Sequence, residues 1–174
     1  MPKYKQYTYK QYTIENVTLP FGKNFSGEEG KYNAAGDRNF CISLTKEDAE
    51  RLKSDGLGVR SLPPRDEEGE ELYYLPIKVS YKVRPPEIYM VTSTGKRKVT
   101  EANVSNLDWA DIVTADVTFT GRPWEVGDKH GIKAYLNALY VTIQESPLEE
   151  KYADIPDFPD SALNTITFEA VHAN

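Results

Sequence analysis

The stretch from Asp111 to Gln144, DIVTADVTFTGRPWEVGDKHGIKAYLNALYVTIQ, restricts the fold more than any other part of the chain. It reads as two long strands, about 111–126 and 131–143, joined by the turn Gly127-Asp128-Lys129-His130-Gly131. Both runs are rich in β-branched and aromatic residues, and a Gly/Asp cluster between such runs is a strong hairpin signal. A two-stranded ribbon is not stable alone in water, so other strands must cover it. Successive side chains of a strand point to opposite faces. Lys133 and Tyr135 therefore share one face, while Ile132, Ala134 and Leu136 take the other. Arg122 and Trp124 likewise stand two apart on the first strand. One side is apolar and suited to a core; the other carries cations and aromatic rings.

The chain before this hairpin supplies the covering strands. Residues 1–13 hold a tandem pentapeptide, Tyr4-Lys5-Gln6-Tyr7-Thr8 and Tyr9-Lys10-Gln11-Tyr12-Thr13, with no acid before Glu15. They read as a basic arm or an added edge strand, or as an arm that stacks on nucleic acid and contacts its phosphates. IENVTLPF, 14–21, alternates well enough for a strand that Pro20 ends. GKNFSGEEGKYNAAGD, 22–37, is a long Gly-rich connection, and loops of that length are functional or mobile as a rule. RNFCISL, 38–44, is a short buried strand, and Thr45 with Asp48 three residues on marks the N-terminus of a helix over about 46–55. Leu57 to Leu62 reads as a strand that Pro63-Pro64 stops, and DEEGEE, 66–71, as a solvated acidic turn.

LYYLPIKVSYKVR, 72–84, reads as one strand. Ile77, Val79, Tyr81 and Val83 point one way, and Lys78, Ser80, Lys82 and Arg84 the other. That spacing predicts a row of cations about 6–7 Å apart, suited to phosphates. Pro85-Pro86 breaks the strand, EIYMVTS resumes it, and Thr94-Gly95 turns into Lys96-Arg97-Lys98 at a hairpin tip. Residues 101–110 suggest a short helix with Trp109 as a core anchor; Phe40 and Tyr81 are expected in the core too. After the hairpin, Glu145 to Asn174 reads as an acidic, Pro-interrupted linker ending in the apolar ALNTITFEAV.

Charge settles less than its total suggests. The formal net charge is −6, and the residues from Glu145 onward carry all of it, with seven acids and one Lys. Residues 1–144 hold twenty basic and twenty acidic side chains. Screening limits each charge to about 8–10 Å in physiological salt, so a neutral body still binds phosphates locally. No apolar run approaches the roughly 20 residues of a membrane helix, and the N-terminus does not read as a signal peptide. The lone Cys41 rules out an internal disulfide and reads as a small hydrophobe in a reducing cytoplasm.

Catalysis finds no constellation. His130 and His172 stand in no metal-ligand spacing and beside no nucleophile. The glycines of 22–37 are followed by no Gly-Lys-Ser/Thr and do not make a phosphate loop. Asp154, Asp157 and Asp160 recur every third residue, but Pro156 and Pro159 work against a ligand cage. No enzyme, cofactor or metal site is expected.

Asn24-Phe25-Ser26-Gly27, Gly30-Lys31-Tyr32-Asn33, Gly36, Arg38-Asn39-Phe40, Tyr74-Leu75-Pro76-Ile77-Lys78-Val79, Arg84-Pro85-Pro86 and Lys133-Ala134-Tyr135-Leu136 form a pattern over about 24–143. It resembles the single-stranded-DNA-binding proteins of tailed bacteriophages. The resemblance implies a mainly β fold: an OB-type five-stranded barrel elaborated with extra strands or hairpins and one or two short helices. It implies binding and protection of single strands during replication or recombination, in the cytoplasm of the bacterial host. It further implies an acidic tail that contacts replication partners, although this chain ends in the less acidic TITFEAVHAN. The boundaries expected are an arm at 1–13, the nucleic-acid-binding domain at 14–144 and the acidic tail at 145–174.

Sequence-tolerant binding of single strands requires cations for the backbone and ring faces for the bases. The residues expected on phosphates are Lys31, Lys78, Lys82, Arg84, Arg97, Arg122 and Lys133; those expected to stack are Tyr32, Tyr89, Trp124 and Tyr135. A closed barrel would gather them along one channel. The same β-rich body would also serve a virion structural or assembly protein, or an RNA-binding or recombination-accessory OB protein.

Overall fold

The computed structural model describes residues 9–82 and 84–156. The first pentapeptide of the repeat, Val83, Asp157, Asp160, the ALNTITFEAV segment and His172 lie outside the described residues.

Eight strands form: β1 (Gln11–Val17), β2 (Arg38–Leu44), β3 (Arg60–Leu62), β4 (Leu72–Val79), β5 (Glu87–Thr92), β6 (Gly95–Val99), β7 (Ile112–Val126) and β8 (Lys129–Ile143). The apolar alternation read from the sequence sets their inner faces: Phe40, Ile42 and Leu44 on β2, Leu75, Ile77 and Val79 on β4, Ala115, Val117 and Phe119 on β7 are all buried. Burying each large side chain of this kind contributes about 1.5–3 kcal/mol. Phe25 stacks on Phe40 with centroids 5.0 Å apart, and Tyr12 stacks on Phe119 at 5.3 Å.

The fold is mainly β and OB-type. Its central path runs β1-β7-β8-β4-β2, with β3 added beside β4 and the β5–β6 hairpin beside β8. The barrel expected as closed is left open along one seam, because β1 and β2 share no ladder. They meet at one point, where Ser43 N donates to Thr18 O (2.9 Å) and Thr18 N donates to Ser43 Oγ (2.9 Å).

β8 organises the sheet. One edge pairs with β7 from Val126↔Lys129 to Ile112↔Ile143. The other edge is shared by two strands, both parallel to β8: β4 at Ile77↔Ala134 and Lys78↔Tyr135, then β5 from Glu87↔Ala138 to Val91↔Thr142. Parallel neighbours in one sheet need a long connection between them, and here β7 and its preceding segment supply it. The strand expected over 72–84 thus stops at Val79, and residues 80–86 leave the edge before Glu87 resumes it. Lys82 and Arg84 do not continue the row begun by Lys78. Pro85-Pro86 explains the break, since neither residue donates to a ladder.

Helix α1 (Lys46–Ser54) closes one end of the core with Ala49 and Leu52. Thr45 caps it, its Oγ1 accepting from Asp48 N at 3.1 Å. It ends in a Schellman turn: Gly56 at φ 96° donates to Lys53 O, and Leu57 N donates to Leu52 O, each at 3.0 Å. The helix expected over 101–110 is a 3₁₀ turn, Val104–Asp108. Trp109, expected as a core anchor, is 87% exposed instead. Val104 and Leu107 fill the core at the three-residue period of that turn, which carries Trp109 off the buried face. Tyr81 is half-buried against the core under the Arg38 guanidinium, 4.9 Å from its ring.

Residues 1–144 and 145–174 separate as two units. The described part of the second holds α2 (Pro147–Lys151). A capping box begins it: Glu149 N donates to Ser146 Oγ (3.1 Å) and Ser146 N to Glu149 Oε2 (2.9 Å). The reading of 145–160 as linker missed this turn. Among the described residues no helix is long and apolar enough to cross a membrane.

Candidate nucleic-acid interface

Two of the three register shifts in the ladders arrange the outer face of the sheet. On β1 the register shifts between Ile14 and Val17, around Asn16 at φ 55°, whose N–H donates to Asp116 Oδ1 (2.9 Å). On β8 the partners step from Thr118↔Ala138 to Phe119↔Leu136, which leaves Asn137 as the extra residue. The inward positions pass from Ala134 and Leu136 to Leu139 and Val141. The outward positions pass from Lys133 and Tyr135 to Ala138 and Tyr140. Were Asn137 to take a regular strand position instead of bulging, Leu139 and Val141 would face water.

Arg122 and Lys133 are direct cross-strand partners, as are Thr120 and Tyr135. The Arg122 guanidinium carbon lies 4.7 Å from the centroid of the Tyr135 ring. Trp124 lies against the backbone of its partner Gly131: a Cβ there would stand 3.0 Å from Trp124 Nε1. Only a residue without a side chain lets the indole approach that closely. Trp124 keeps 42% of its surface exposed.

Tyr135 divides two adjoining depressions. One, of about 730 Å³, is lined by Lys78, Lys133, Tyr135, Trp124, Tyr32 and Arg60 among others. The other, of about 600 Å³, is lined by Arg122, Arg84, Thr120, Asn137, Gln11 and Tyr9 around the same Tyr135. Segment 80–86, having left the sheet edge, brings Arg84 and Pro85 to this second depression. Lys78 pairs with Asp37 at a loose 3.7 Å, whereas Arg84, Arg122 and Lys133 carry no carboxylate partner among the described residues.

The Gly-rich connection is tied down. Asn33 Nδ2 donates to the carbonyls of Glu28, Ala34 and Asp37 at 2.9–3.1 Å, and Asn39 Nδ2 donates to Asn33 Oδ1 at 2.8 Å. Asn39 pairs with Lys78 in the sheet. At the other end, Asp108 accepts from the backbone of Phe25 (2.6 Å) and Ser26 (3.2 Å). Gly27 and Gly36, both at positive φ, cross so closely that a Cβ on Gly27 would meet Gly36 Cα at 3.0 Å. The result presents Tyr32, 90% exposed, with the Lys31 ammonium 5.4 Å from its ring.

Seven of the residues read from the sequence therefore line the two depressions: Lys78, Arg84, Arg122, Lys133, Tyr32, Trp124 and Tyr135. Lys31 accompanies Tyr32. Lys82 is exposed and lines neither depression. Tyr89 and Arg97 lie elsewhere, on the β5–β6 hairpin. Arg60, Thr120 and Asn137 line the depressions without a signal in the sequence, whereas Tyr9 and Gln11 belong to the segment 1–13, for which the sequence also offers a stacking and phosphate-contacting role. The bulge at Asn16 obscures the phase of its pentapeptide repeat on a strand. Burial pushes the Cys41 thiol up, consistent with an inert small side chain.

A family model for phage ssDNA-binding domains matches residues 1–172. No curated protein matches the chain in sequence. Among solved structures, the single-stranded DNA-binding protein from bacteriophage Enc34 superposes with a TM-score of 0.52 at 10% identity, over 87% of this chain and 89% of that one. Its complex with ssDNA gives 0.49 at 12% identity, over 79% and 88%. Gp2.5, a single-stranded DNA-binding protein encoded by bacteriophage T7, gives 0.42 at 11% identity, over 86% and 96%. The match over nearly the whole chain, on a sheet whose outer face gathers unpaired cations and open rings, makes this protein a member of the phage ssDNA-binding domain family and a single-stranded-DNA-binding protein.

Proposed function

We propose that a single strand crosses the outer face of β7 and β8, passing over Tyr135 from one depression to the other. Its phosphates meet Lys78, Lys133, Arg122 and Arg84, and its bases stack on Trp124, Tyr135 and the loop-borne Tyr32. Lys31 and Lys82 stand at the margins and add long-range attraction. The observation that carries this reading is the Arg122–Tyr135 pair, 4.7 Å apart at the divide between the depressions. A guanidinium over a ring holds a cation where a backbone passes and leaves the ring's far side for a base. Every base has a π-face, so such a surface is tolerant of sequence.

The role is binding and protection, not catalysis, during phage DNA replication or recombination in the host cytoplasm. The binding domain begins with β1 at Gln11, taking in the end of the arm expected at 1–13, and runs to Gln144; 145–174 is an acidic segment for replication or recombination partners.

Fluorescence anisotropy with oligo-dT, single-stranded RNA and duplex DNA at two salt concentrations tests this. The expected result is preference for single-stranded DNA, with log K falling by about 0.7 per log unit of salt for each phosphate neutralised. Affinity that ignores salt, or that favours the duplex, would overturn it, and equal affinity for RNA would move the ligand class.

A further inference from the structure

The β5–β6 hairpin carries its own group of cations and rings. Tyr89 on β5 and Tyr140 on β8 are direct neighbours, stacked with centroids 5.0 Å apart and planes 13° from parallel. Lys96 reaches back from β6, its ammonium 4.9 Å from the Tyr89 centroid and 5.9 Å from that of Tyr140. Lys98 is the cross-strand partner of Tyr89 and shares its face; Arg97 faces the other way, beside Asn103 and Asn106. Lys96, Arg97 and Lys98 are exposed, and none pairs with a carboxylate among the described residues. Among the described residues β6 pairs with β5 alone, so the cations stand on an edge strand.

We propose that Lys96 and Lys98 form a second single-strand contact that grips phosphates alone, separate from the groove at Tyr135. This rests on the single-strand reading above. Separation follows from distance: Tyr140 lies five positions beyond Tyr135 on β8, about 15 Å along a strand. That exceeds the 8–10 Å over which exposed charges act in physiological salt. Glu87, the partner of Ala138, stands between the two groups, and Asp116 lies beside Tyr140 on its other edge; both interrupt the positive face. The restriction to phosphates follows from the rings. Tyr89 and Tyr140 are half-buried, each covers one face of the other, and the Lys96 ammonium lies beside both, which leaves little ring surface for a base. Tyr89 is thereby a positioning residue for Lys96 rather than a stacker. Its ligand is the backbone of the same strand after it has left the groove.

The test compares oligo-dT of about 6 nucleotides, near the lower end of the roughly 4–16 that one OB fold occupies, with oligo-dT of about 20. Lys96→Glu combined with Lys98→Glu is expected to leave the short oligomer's affinity unchanged. It should weaken the long one about tenfold and flatten its salt slope by about 1.4, two cations at about 0.7 each. Tyr89→Ala is expected to weaken only the long oligomer, and to add little once Lys96 is replaced. Unchanged affinity and slope for the long oligomer, or equal loss for both lengths, would overturn the second contact. Tyr135→Ala is the control for the groove: if it too is without effect on either oligomer, the groove reading fails, which is a distinct result. Thermal melting of each variant confirms an intact fold.

Discussion

The Asn137 side chain donates to the hydroxyl of Thr120 across 2.6 Å, and this bond seals the bulge that turns β8 over. The residue and its bond have different weights. Asn137→Ala removes one half-buried hydrogen bond and should cost about 1 kcal/mol in urea denaturation. Deleting Asn137 removes the extra residue and sets Leu136, Ala138 and Leu139 in strict alternation, so Leu139 and Val141 stay inward and cooperative unfolding should be retained. A deletion variant that no longer unfolds cooperatively would show that the bulge does more than absorb one residue between two in-phase halves of β8.

Arg122 and Tyr135 are expected to act as one unit in binding. Tyr135→Ala should weaken oligo-dT by about 1–3 kcal/mol, the range for one base lost from an aromatic platform. Arg122→Ala should also weaken it, and the double variant should lose less than the two single losses combined, because each residue holds the other. Strict additivity in anisotropy titrations would mean that the 4.7 Å contact has no role in binding.

Tyr32 depends on Asn33 for its place. Asn33→Ala releases three carbonyls and the amide of Asn39, so the loop loosens. Affinity for oligo-dT should fall in that variant, and the fall should vanish when Tyr32→Ala is already present. An equal fall in both backgrounds would assign Asn33 to the sheet rather than to the ring it presents.

Two aromatic truncations should separate sharply in stability. Phe119 is fully buried and stacked on Tyr12, so Phe119→Ala should cost about 3–5 kcal/mol. Trp109 is exposed, so Trp109→Ala should stay within about 0.5 kcal/mol of the parent. Denaturant midpoints decide, and a severe loss at Trp109 would refute its placement.

Strand β1 is fastened to the end of α1 in a pH-dependent way. Asp55 accepts from Lys10 (3.0 Å) and Tyr12 (2.8 Å), and those hydrogen bonds hold its carboxyl below the usual range. Burial, and then the bond to Asp55, pushes the Tyr12 phenol up to about 12. A raised acid contributes stability below its unfolded value, here near 10, that is lost as pH rises through about 12. A lowered carboxyl contributes above its unfolded value, and that share is lost as pH falls through the lowered one. Tyr12→Phe should therefore destabilise most between these limits, and the gap in melting temperature should narrow from pH 10 upward. A constant gap across that window would remove the linkage.

What was legible in the sequence was local. Thr45 and Asp48 marked the start of α1 because a cap is a contact three residues long. Alternation gives the inner faces of β2, β4 and β7; the turn expected over Gly127–Gly131 narrows to Gly127-Asp128, because Lys129 and His130 already pair with Val126 and Glu125. The unread parts depend on distant partners or on one residue. That β4 and β5 share an edge of β8 leaves no trace in residues 72–92 except the break at Pro85-Pro86. Lys82 was read as part of a cationic row only because the strand was carried past Val79. Asn137 is one polar residue inside an apolar run, and the exchange of faces it causes is invisible until the pairing is known. Trp109 was read as buried because large rings usually are, whereas Val104 and Leu107 had already filled the space.

A connection as long as 22–37 is expected to be functional or mobile, and its polar side chains clasp one another. Its freedom was surrendered when the chain folded. A strand of nucleic acid arriving there finds Tyr32 already in position, and what must become ordered is the polymer rather than its host. The entropic resistance to association then grows with each nucleotide held, so the number of nucleotides covered, more than any rearrangement of the protein, sets how tightly a given strand is kept.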